Sequence, residues 1–237
     1  HTRRMYDNWR HAGIDPDFRY MFVVPHKIGR LAEDRFTTEI KAFKTALEKA
    51  FGITISEDSI RASIRLYNEK RRLLSELYMR RYEKTVPLNG SEVLSVMLAI
   101  TAIPVEQAID LLEKLLVEIT GRDVGAENKI RVFLASGCME EVDHLQLIEE
   151  CGGVVVADNL CLGGRHFDGM VDETTPVFEA LSRRYLHHLS CPRMVNDFTG
   201  RMSSVSRVIK AAGAGAIIAE KLKFCDIWGG ELYLLRQ

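Results

Sequence analysis

The second half of this 237-residue chain alternates short apolar runs with helical patterns, and this alternation constrains its fold more than any other feature. Strands and helices of this length in alternation are typical of crossover connections and a parallel sheet. The sequence therefore predicts an α/β domain over residues 125–237. Its predicted strands cover residues 130–135, 154–157 and 216–219, and its predicted helices cover residues 140–150, 175–187 and 203–212.

The amino-terminal part has a helix, strand and helix pattern. A short helical stretch precedes residues 18–24, which are apolar and aromatic and end at Pro25, as a buried strand that stops at a loop would. The hydrophobic period then becomes helical over residues 31–51, and Gly52 is expected to close that helix. Residues 1–52 are therefore predicted to be the end of a first α/β domain.

A helical bridge is predicted between these two domains, over residues 53–124. Ser56 is placed to cap a long helix that carries many Lys and Arg residues on one side, which we interpret as a solvated face. Asn89 followed by Glu92 is typical of a capping box, and Pro104 is suited to the first turn of a further helix.

Composition and charge argue against several classes of function. A net charge of -1, with no dense basic stripe beyond the helical one around residues 70–81, disfavours a general nucleic-acid binder. The longest apolar stretch, residues 93–105, is shorter than the roughly 20 residues of a membrane span. Five cysteines, odd in number and irregularly spaced, indicate a reducing cytoplasmic compartment instead of a disulfide framework.

The two ends of the sequence suggest a portion of a longer protein. The chain begins at His1 instead of Met, and residues 229–237 have the pattern of a helix with nothing after it. We therefore expect both the first domain and the carboxyl-terminal part of the second to be incomplete.

Four of the five cysteines lie at loops or turns after Ala135: Cys138, Cys161, Cys191 and Cys225. If the apolar runs before Cys161 and Cys225 are neighbouring parallel strands, both thiols emerge at the carboxyl edge of the sheet, where open α/β sheets bind ligands. Thiolates suit zinc or an iron–sulfur cluster. Spacing alone does not decide between a metal ligand and an inert buried thiol.

Other candidate groups are weaker. Asp158 and Asp226 stand near Cys161 and Cys225 and could tune a metal site or be simply solvated. Residues 163–169 form a glycine-rich segment able to hold an anion, although an ordinary flexible surface loop is the favoured interpretation. The common hydrolase, phosphate-loop and zinc-protease motifs are absent from the sequence.

Several stretches, taken in order, resemble the 2-hydroxyacyl-CoA dehydratase subunits, a family shared with class I benzoyl-CoA reductases. They are Val24-Pro-His-Lys27, the segment from Ile64 to Leu74, Asp158-Asn-Leu-Cys161-Leu-Gly-Gly-Arg165-His-Phe, Cys191-Pro-Arg-Met194 and Leu222-Lys-Phe-Cys225-Asp226. The resemblance covers nearly the whole chain. The five stretches in this order are specific for the family, whereas no single stretch would be enough.

This resemblance implies a fold and a cofactor. Its members have two flavodoxin-like parallel-sheet domains joined by helices, and three cysteines hold an iron–sulfur cluster, typically [4Fe-4S]. Cys161 and Cys225 correspond to the second and third ligands, and the first is expected upstream of this chain. The family implies no ligand role for Cys138 or Cys191.

The resemblance also implies radical chemistry in a heterodimer of two homologous subunits. An ATP-dependent iron–sulfur activator delivers one electron, the thioester carbonyl of the acyl-CoA becomes a ketyl radical, and the hydroxyl leaves. The leading interpretation is therefore a subunit of a 2-hydroxyacyl-CoA dehydratase, which is a lyase. Leu162 stands where the family often has a small polar residue, so this loop does not identify the substrate.

Three alternatives stay open at this stage. The chain could be a benzoyl-CoA reductase subunit that adds electrons to an aromatic ring, or a non-catalytic partner subunit of such a complex. From a different class, it could be a zinc-binding α/β module.

Overall fold

The computed structural model describes residues 2–13, 18–188 and 191–235, and within them the chain forms ten α-helices and three strands. The helices are α1 (Thr2–His11), α2 (Arg30–Phe51), α3 (Glu57–Arg80), α4 (Gly90–Thr101), α5 (Val105–Glu118), α6 (Val142–Glu150), α7 (Gly164–Phe167), α8 (Val177–His187), α9 (Phe198–Ala212) and α10 (Asp226–Leu235). The strands are β1 (Ile130–Ala135), β2 (Gly153–Asp158) and β3 (Ala216–Ala219). This α/β architecture confirms the predicted class.

The chain divides into two compact units. One contains residues 1–64 and 171–187, and the other contains residues 65–170 and 188–237. The predicted boundaries after residues 52 and 124, and the flavodoxin-like description of two domains, stay predictions.

The larger unit is built on a parallel sheet with the strand order β2-β1-β3. Ile130 of β1 lies opposite Gly153 of β2, and Val132 of β1 lies opposite Ala216 of β3. The sheet is parallel as the alternation predicts, but the strands before Cys161 and Cys225 are not neighbours. They flank β1, because the alternation specifies strand direction and leaves strand order to the packing of the connections.

Both faces of the sheet are covered. Val132, Leu134 and Val155 belong to one buried cluster that also includes Leu94 of α4 and Leu145 of α6. On the opposite face Phe133, Val154 and Val156 cluster with Val205 and Ala212 of α9. Because β2 is buried along its whole length, its residues are apolar without alternation up to Asp158.

Close packing of α4 on the sheet depends on a glycine. A methyl group on Gly90 would lie 2.5 Å from the β-carbon of Val155, so no larger residue fits without displacing the helix. The predicted capping box at this helix start is confirmed: Glu92 N donates to Asn89 Oδ1 over 2.9 Å, and Asn89 N donates to Glu92 Oε2 over 3.0 Å.

Other predicted helix ends are confirmed as well. Gly52 closes α2 in the left-handed conformation, and Ser56 caps α3 by accepting a hydrogen bond from Ser59 N at 3.1 Å. Pro104 precedes α5 as its N-cap. Among the described residues, none of the helices combines the length and apolarity needed to cross a bilayer.

The predicted strand over residues 18–24 is wrong, because this segment forms no strand in the smaller unit. Its aromatic rings pack on α2 instead, with Phe22 5.6 Å from Phe36 between ring centroids and Tyr20 5.0 Å from Phe43. The backbone nitrogen of Val23 donates to the carboxylate of Glu39. Because α2 supplies a packing surface for these apolar side chains, the segment needs no neighbouring strand.

Helix α10 is fixed to α9 by a buried ion pair. Arg201 Nε and Nη2 donate to the two carboxylate oxygens of Glu231 over 2.7 and 2.9 Å, and Arg201 Nη1 donates to the carbonyl of Met194. Both side chains are 6% exposed. This bidentate pair sets the position of α10 after β3.

Replacing Arg201 by Met leaves the Glu231 carboxylate buried without its partner, so we expect a loss of about 3–5 kcal/mol in the free energy of unfolding. Urea denaturation followed by circular dichroism measures it. Arg207→Met, on the exposed side of the same helix, is expected to change stability by less than about 0.5 kcal/mol. The double variant Arg201→Met/Glu231→Leu should recover most of the loss, and equal costs for the single and double variants would contradict this account.

Candidate site at the carboxyl edge of the sheet

Three cysteines follow the three strands at one edge of the sheet. Cys138 lies after β1, Cys161 after β2 and Cys225 immediately before α10. Cys138 and Cys161 are exposed, whereas Cys225 is half-buried. Burial raises the pKa of the Cys138 thiol, and the nearby Cys161 and Glu140 add to the effect. The structure therefore brings Cys161 into electrostatic range of Cys138, the thiol to which the family resemblance gives no role.

The Cys161 loop is wrapped around the carboxylate of Asp158. Asp158 Oδ1 accepts hydrogen bonds from Leu160 N at 3.1 Å and Gly164 N at 2.8 Å, which lie on either side of Cys161. Asp158 Oδ2 accepts a third from the hydroxyl of Tyr78 at 2.9 Å. Asp158 is thus the residue that determines the loop's shape.

Two glycines allow this close wrapping. A methyl group on Gly164 would lie 2.5 Å from the carbonyl oxygen of Asp158, and one on Gly163 would overlap the carboxylate itself. The prediction of an ordinary surface loop here is wrong: Gly163 is the N-cap of a short helix, α7, whose Arg165 and Phe167 are buried. The glycines serve close approach instead of flexibility.

A buried arginine supports the carboxylate from the α3 side. Arg81 is fully buried, donates from Nη2 to the carbonyl oxygen of Val155, and places Nη1 4.0 Å from Asp158 Oδ2. Its guanidinium lies 4.9 Å from the centre of the Tyr78 ring. Burial, together with the Asp158 charge, raises the pKa of Tyr78 well above its usual value, so the phenol stays a donor.

Arg165 connects the three strand-end loops. Its Nη2 donates to the carbonyl of Ser136 after β1 at 3.0 Å and to Cys161 Sγ after β2 at 3.1 Å. The guanidinium also lies 5.4 Å from the ring centre of Trp228, three residues beyond Cys225. Trp228 in turn packs on Gly137, where a methyl group would lie 2.8 Å from the indole nitrogen. One cation therefore holds the loops of all three strands together.

A small cavity lies behind the Cys161 loop. It measures about 80 Å³ and is lined by residues that include Tyr78, Tyr82, Asp158, Arg165 and Ser204. Burial and the Asp158 charge raise the pKa of Tyr82, as they do for Tyr78. A cavity of this volume has room for several waters, and its tyrosine, aspartate and arginine side chains supply polar partners for them.

The residues at this edge match an iron–sulfur cluster in donor type but are not gathered into one ligand set. Cysteine thiolates are the usual ligands of such clusters, which take three or four of them. Across residues 2–13, 18–188 and 191–235, no three His, Cys, Asp or Glu side chains are grouped to hold a metal ion. The ligand roles of Cys161 and Cys225 thus stay predictions.

Sequence reasoning missed the residues that organise the site. The sequence places Tyr78 and Arg81 in a long helix with a basic, solvated face, and no local pattern distinguishes either residue there. No local pattern marks Trp228. Arg165 lies in one of the stretches that carry the resemblance, which is the one signal that could have singled it out. Asp226 was considered as a neighbour of the site and is the exposed first residue of α10.

The fold and site define an α/β protein with thiols placed at the ends of parallel strands and held there by a buried polar network. Residues 1–237 match the sequence model of the family described as 2-hydroxyglutaryl-CoA dehydratase, D-component. The chain belongs to this family, which confirms the resemblance seen in the motifs.

Two curated relatives are similar over most of the chain. A benzoyl-CoA reductase subunit of Thauera aromatica is 25% identical over 212 residues, covering 88% of this chain and 55% of the relative. The beta subunit of lactoyl-CoA dehydratase from Anaerotignum propionicum is 24% identical over 209 residues, covering 87% and 56%. The chain thus spans about half the length of the curated relatives it matches.

Replacing Asp158 by Asn removes the charge that faces Arg81 and weakens three accepted hydrogen bonds. We expect the free energy of unfolding to fall by about 3 kcal/mol, because Arg81 is left buried without a counter-charge. Urea denaturation measures the loss. Asp143→Asn, on the exposed first turn of α6, serves as the control and is expected to cost less than about 1 kcal/mol. Equal costs at the two positions would refute the role of Asp158.

Replacing Arg165 by Met removes the link between Cys161, Ser136 and Trp228. In a Trp9→Phe background, which leaves Trp228 as the one indole, we expect its emission to shift to longer wavelength and its quenching by iodide to increase. Arg193→Met, an exposed arginine of the same unit, should leave both signals unchanged. An unchanged Trp228 spectrum in the Arg165 variant would show that the indole is held by other contacts.

Proposed function

We propose that the chain is part of a subunit of a radical-type 2-hydroxyacyl-CoA dehydratase, a lyase that works as a heterodimer in a reducing cytoplasm. The family match over all 237 residues carries this proposal. The relative named as a lactoyl-CoA dehydratase supports a dehydratase in particular, because lactoyl-CoA is a 2-hydroxyacyl-CoA. The proposed partners are a homologous second subunit, an ATP-dependent iron–sulfur activator and the acyl-CoA substrate.

The proposed reaction removes water from the substrate without net oxidation or reduction. One electron from the activator reduces the thioester carbonyl to a ketyl, the 2-hydroxyl leaves, and loss of a proton and return of the electron complete the elimination. The electron is therefore available for further turnovers. A strongly reducing electron must be kept from water and oxygen, which requires a shielded site.

Cys161 and Cys225 are proposed as two of the three thiolate ligands of a [4Fe-4S] cluster, with the third supplied from outside the described residues. When bound, such a cluster would supply one-electron transfer. The residues of this chain have positioning roles. Arg165 donates to the Cys161 sulfur, and Asp158 holds the loop on either side of it. Trp228, three residues beyond Cys225, lies against Arg165 and Gly137.

The second candidate function is that of a benzoyl-CoA reductase subunit. The observation that favours it is the relative from Thauera aromatica, which is named as part of such a reductase. Turnover of 2-hydroxyacyl-CoA against benzoyl-CoA, measured under anaerobic conditions with partner subunit, activator and ATP, separates the two candidates. If neither is turned over while the complex binds iron, a non-catalytic partner role is favoured. A protein that binds no iron at any stage would rule out both reactions, and zinc in its place would favour the zinc module.

Cysteine variants test the ligand assignment. In the complex purified anaerobically, we expect Cys161→Ser and Cys225→Ser each to lose bound iron and sulfide and to lose more activity than the roughly 10–100-fold typical of changes outside the ligand shell. Iron analysis and electron paramagnetic resonance measure the cluster directly. Cys151→Ser, at an exposed thiol after α6, is the matched control and should keep both.

Cys138→Ser is the discriminating variant, because the structure places Cys138 in electrostatic range of Cys161. Retention of iron in this variant supports the assignment to Cys161 and Cys225. Loss of iron from the Cys138 variant with retention in the Cys225 variant would instead assign the ligand to Cys138.

A further inference from the structure

Helix α3 holds a lysine whose charge is not matched by a carboxylate. Lys70 is 6% exposed, and its Nζ lies 5.0 Å from the centre of the Tyr67 ring. Within the described part of the chain, no Asp or Glu lies within ion-pair distance of it. The nearby acids of the helix have other partners, since Glu69 pairs with Arg72, and Glu76 pairs with Arg72 and Arg80.

A second cation faces the same ring. The guanidinium carbon of Arg71 lies 5.9 Å from the centre of Tyr67, and Arg71 is 5% exposed. Its Nη1 donates to Asn68 Oδ1 at 3.0 Å, which fixes the guanidinium on the helix. Two largely buried cations therefore flank one aromatic ring.

The electrostatics agree with this geometry. Burial lowers the pKa of Lys70, and the charge of Arg71 lowers it further. Placing one ammonium beside another cation in a desolvated position costs free energy, and an adjacent anion would offset that cost. The arrangement therefore favours the bound state of an anionic ligand over the empty state.

The ammonium group remains accessible to such a ligand. Within residues 2–13, 18–188 and 191–235, Lys70 Nζ has no hydrogen-bond partner, and the atom is not fully enclosed, so it keeps some contact with solvent. Tyr67 is 43% exposed and leaves aromatic surface at the same place.

We propose that Tyr67, Lys70 and Arg71 form a binding site for a phosphate group. Lysine supplies a compact point charge for phosphate oxygens, and the neighbouring arginine adds positive potential. The exposed part of the tyrosine offers a surface on which a base can stack. We assign the phosphate-bearing end of coenzyme A as the ligand, and this assignment rests on the proposed function. The existence of the anion site does not depend on that function.

The position along the helix is consistent with that ligand. Lys70 and Tyr78 are eight residues apart, which is about 12 Å along the axis of α3. Tyr78 contacts Asp158, which holds the Cys161 loop. An acyl-CoA is an extended molecule whose phosphates and thioester lie at opposite ends, so two separated sites on one unit suit it.

Isothermal titration calorimetry with pyrophosphate, coenzyme A and pantetheine tests the site. We expect Lys70→Met to weaken binding of pyrophosphate and coenzyme A by roughly 10- to 100-fold and to leave pantetheine, which has no phosphate, unaffected. Lys84→Met removes the same charge from a lysine whose side chain is 86% exposed, and should change none of the three affinities.

Thermal unfolding supplies a second readout. Without ligand, Lys70→Met should be as stable as the native protein or more so, because an unmatched charge is removed. Pyrophosphate should raise the melting temperature of the native protein and of Lys84→Met but not of Lys70→Met. If Lys70→Met does not fold, Lys70→Gln replaces it in both measurements, and failure of both variants to fold would overturn the proposal, since the charge would then be required by the fold.

Further outcomes separate this inference from the proposed function. Pyrophosphate binding that depends on Lys70, without binding of coenzyme A, keeps the anion site and contradicts an acyl-CoA substrate. Binding of coenzyme A that does not depend on Lys70 overturns the site and leaves the proposed function intact. Absence of pyrophosphate binding to the native protein also overturns the site.

Discussion

The carboxylate of Asp158 is the group on which the architecture of the strand-end site depends. It sits at the end of a fully buried strand and is itself 8% exposed, so its oxygens require partners within the protein. Two backbone N–H groups of the Cys161 loop and the Tyr78 phenol supply them, with Arg81 nearby as counter-charge. Satisfying one buried charge thereby fixes the loop against both the sheet and α3.

Buried cations extend this organisation across the sheet edge. Arg165 links the loops after β1 and β2 to Trp228, and Arg201 fixes α10, the helix that carries Trp228, to α9. These two arginines contact carbonyls, a thiol, an indole face or a carboxylate. Lys70 differs from them, because it has an aromatic ring beside it and no counter-charge among the described residues. The two arginines therefore have structural roles, whereas the unmatched charge of Lys70 indicates a ligand.

The fold was predictable where neighbouring residues determine it. Helix caps such as Asn89 with Glu92 act within one turn, and strands β1 and β3 have the predicted bounds, because each is a short run of mostly apolar residues. The run at residues 18–24 has the same appearance and forms no strand, since its rings pack on α2. The local sequence shows that a segment is apolar but does not show which element it packs against.

The sequence by itself determined the α/β class, the parallel sheet, the family, and the placement of cysteines after successive strands, because each depends on periodicity or on short ordered motifs. Only the tertiary structure decided that β1 lies between the strands leading to Cys161 and Cys225, that Cys161 faces Arg165, and that Lys70 lacks a carboxylate within the described chain. These facts depend on contacts between residues distant in the chain, and no local pattern encodes which charged groups come to share a buried space.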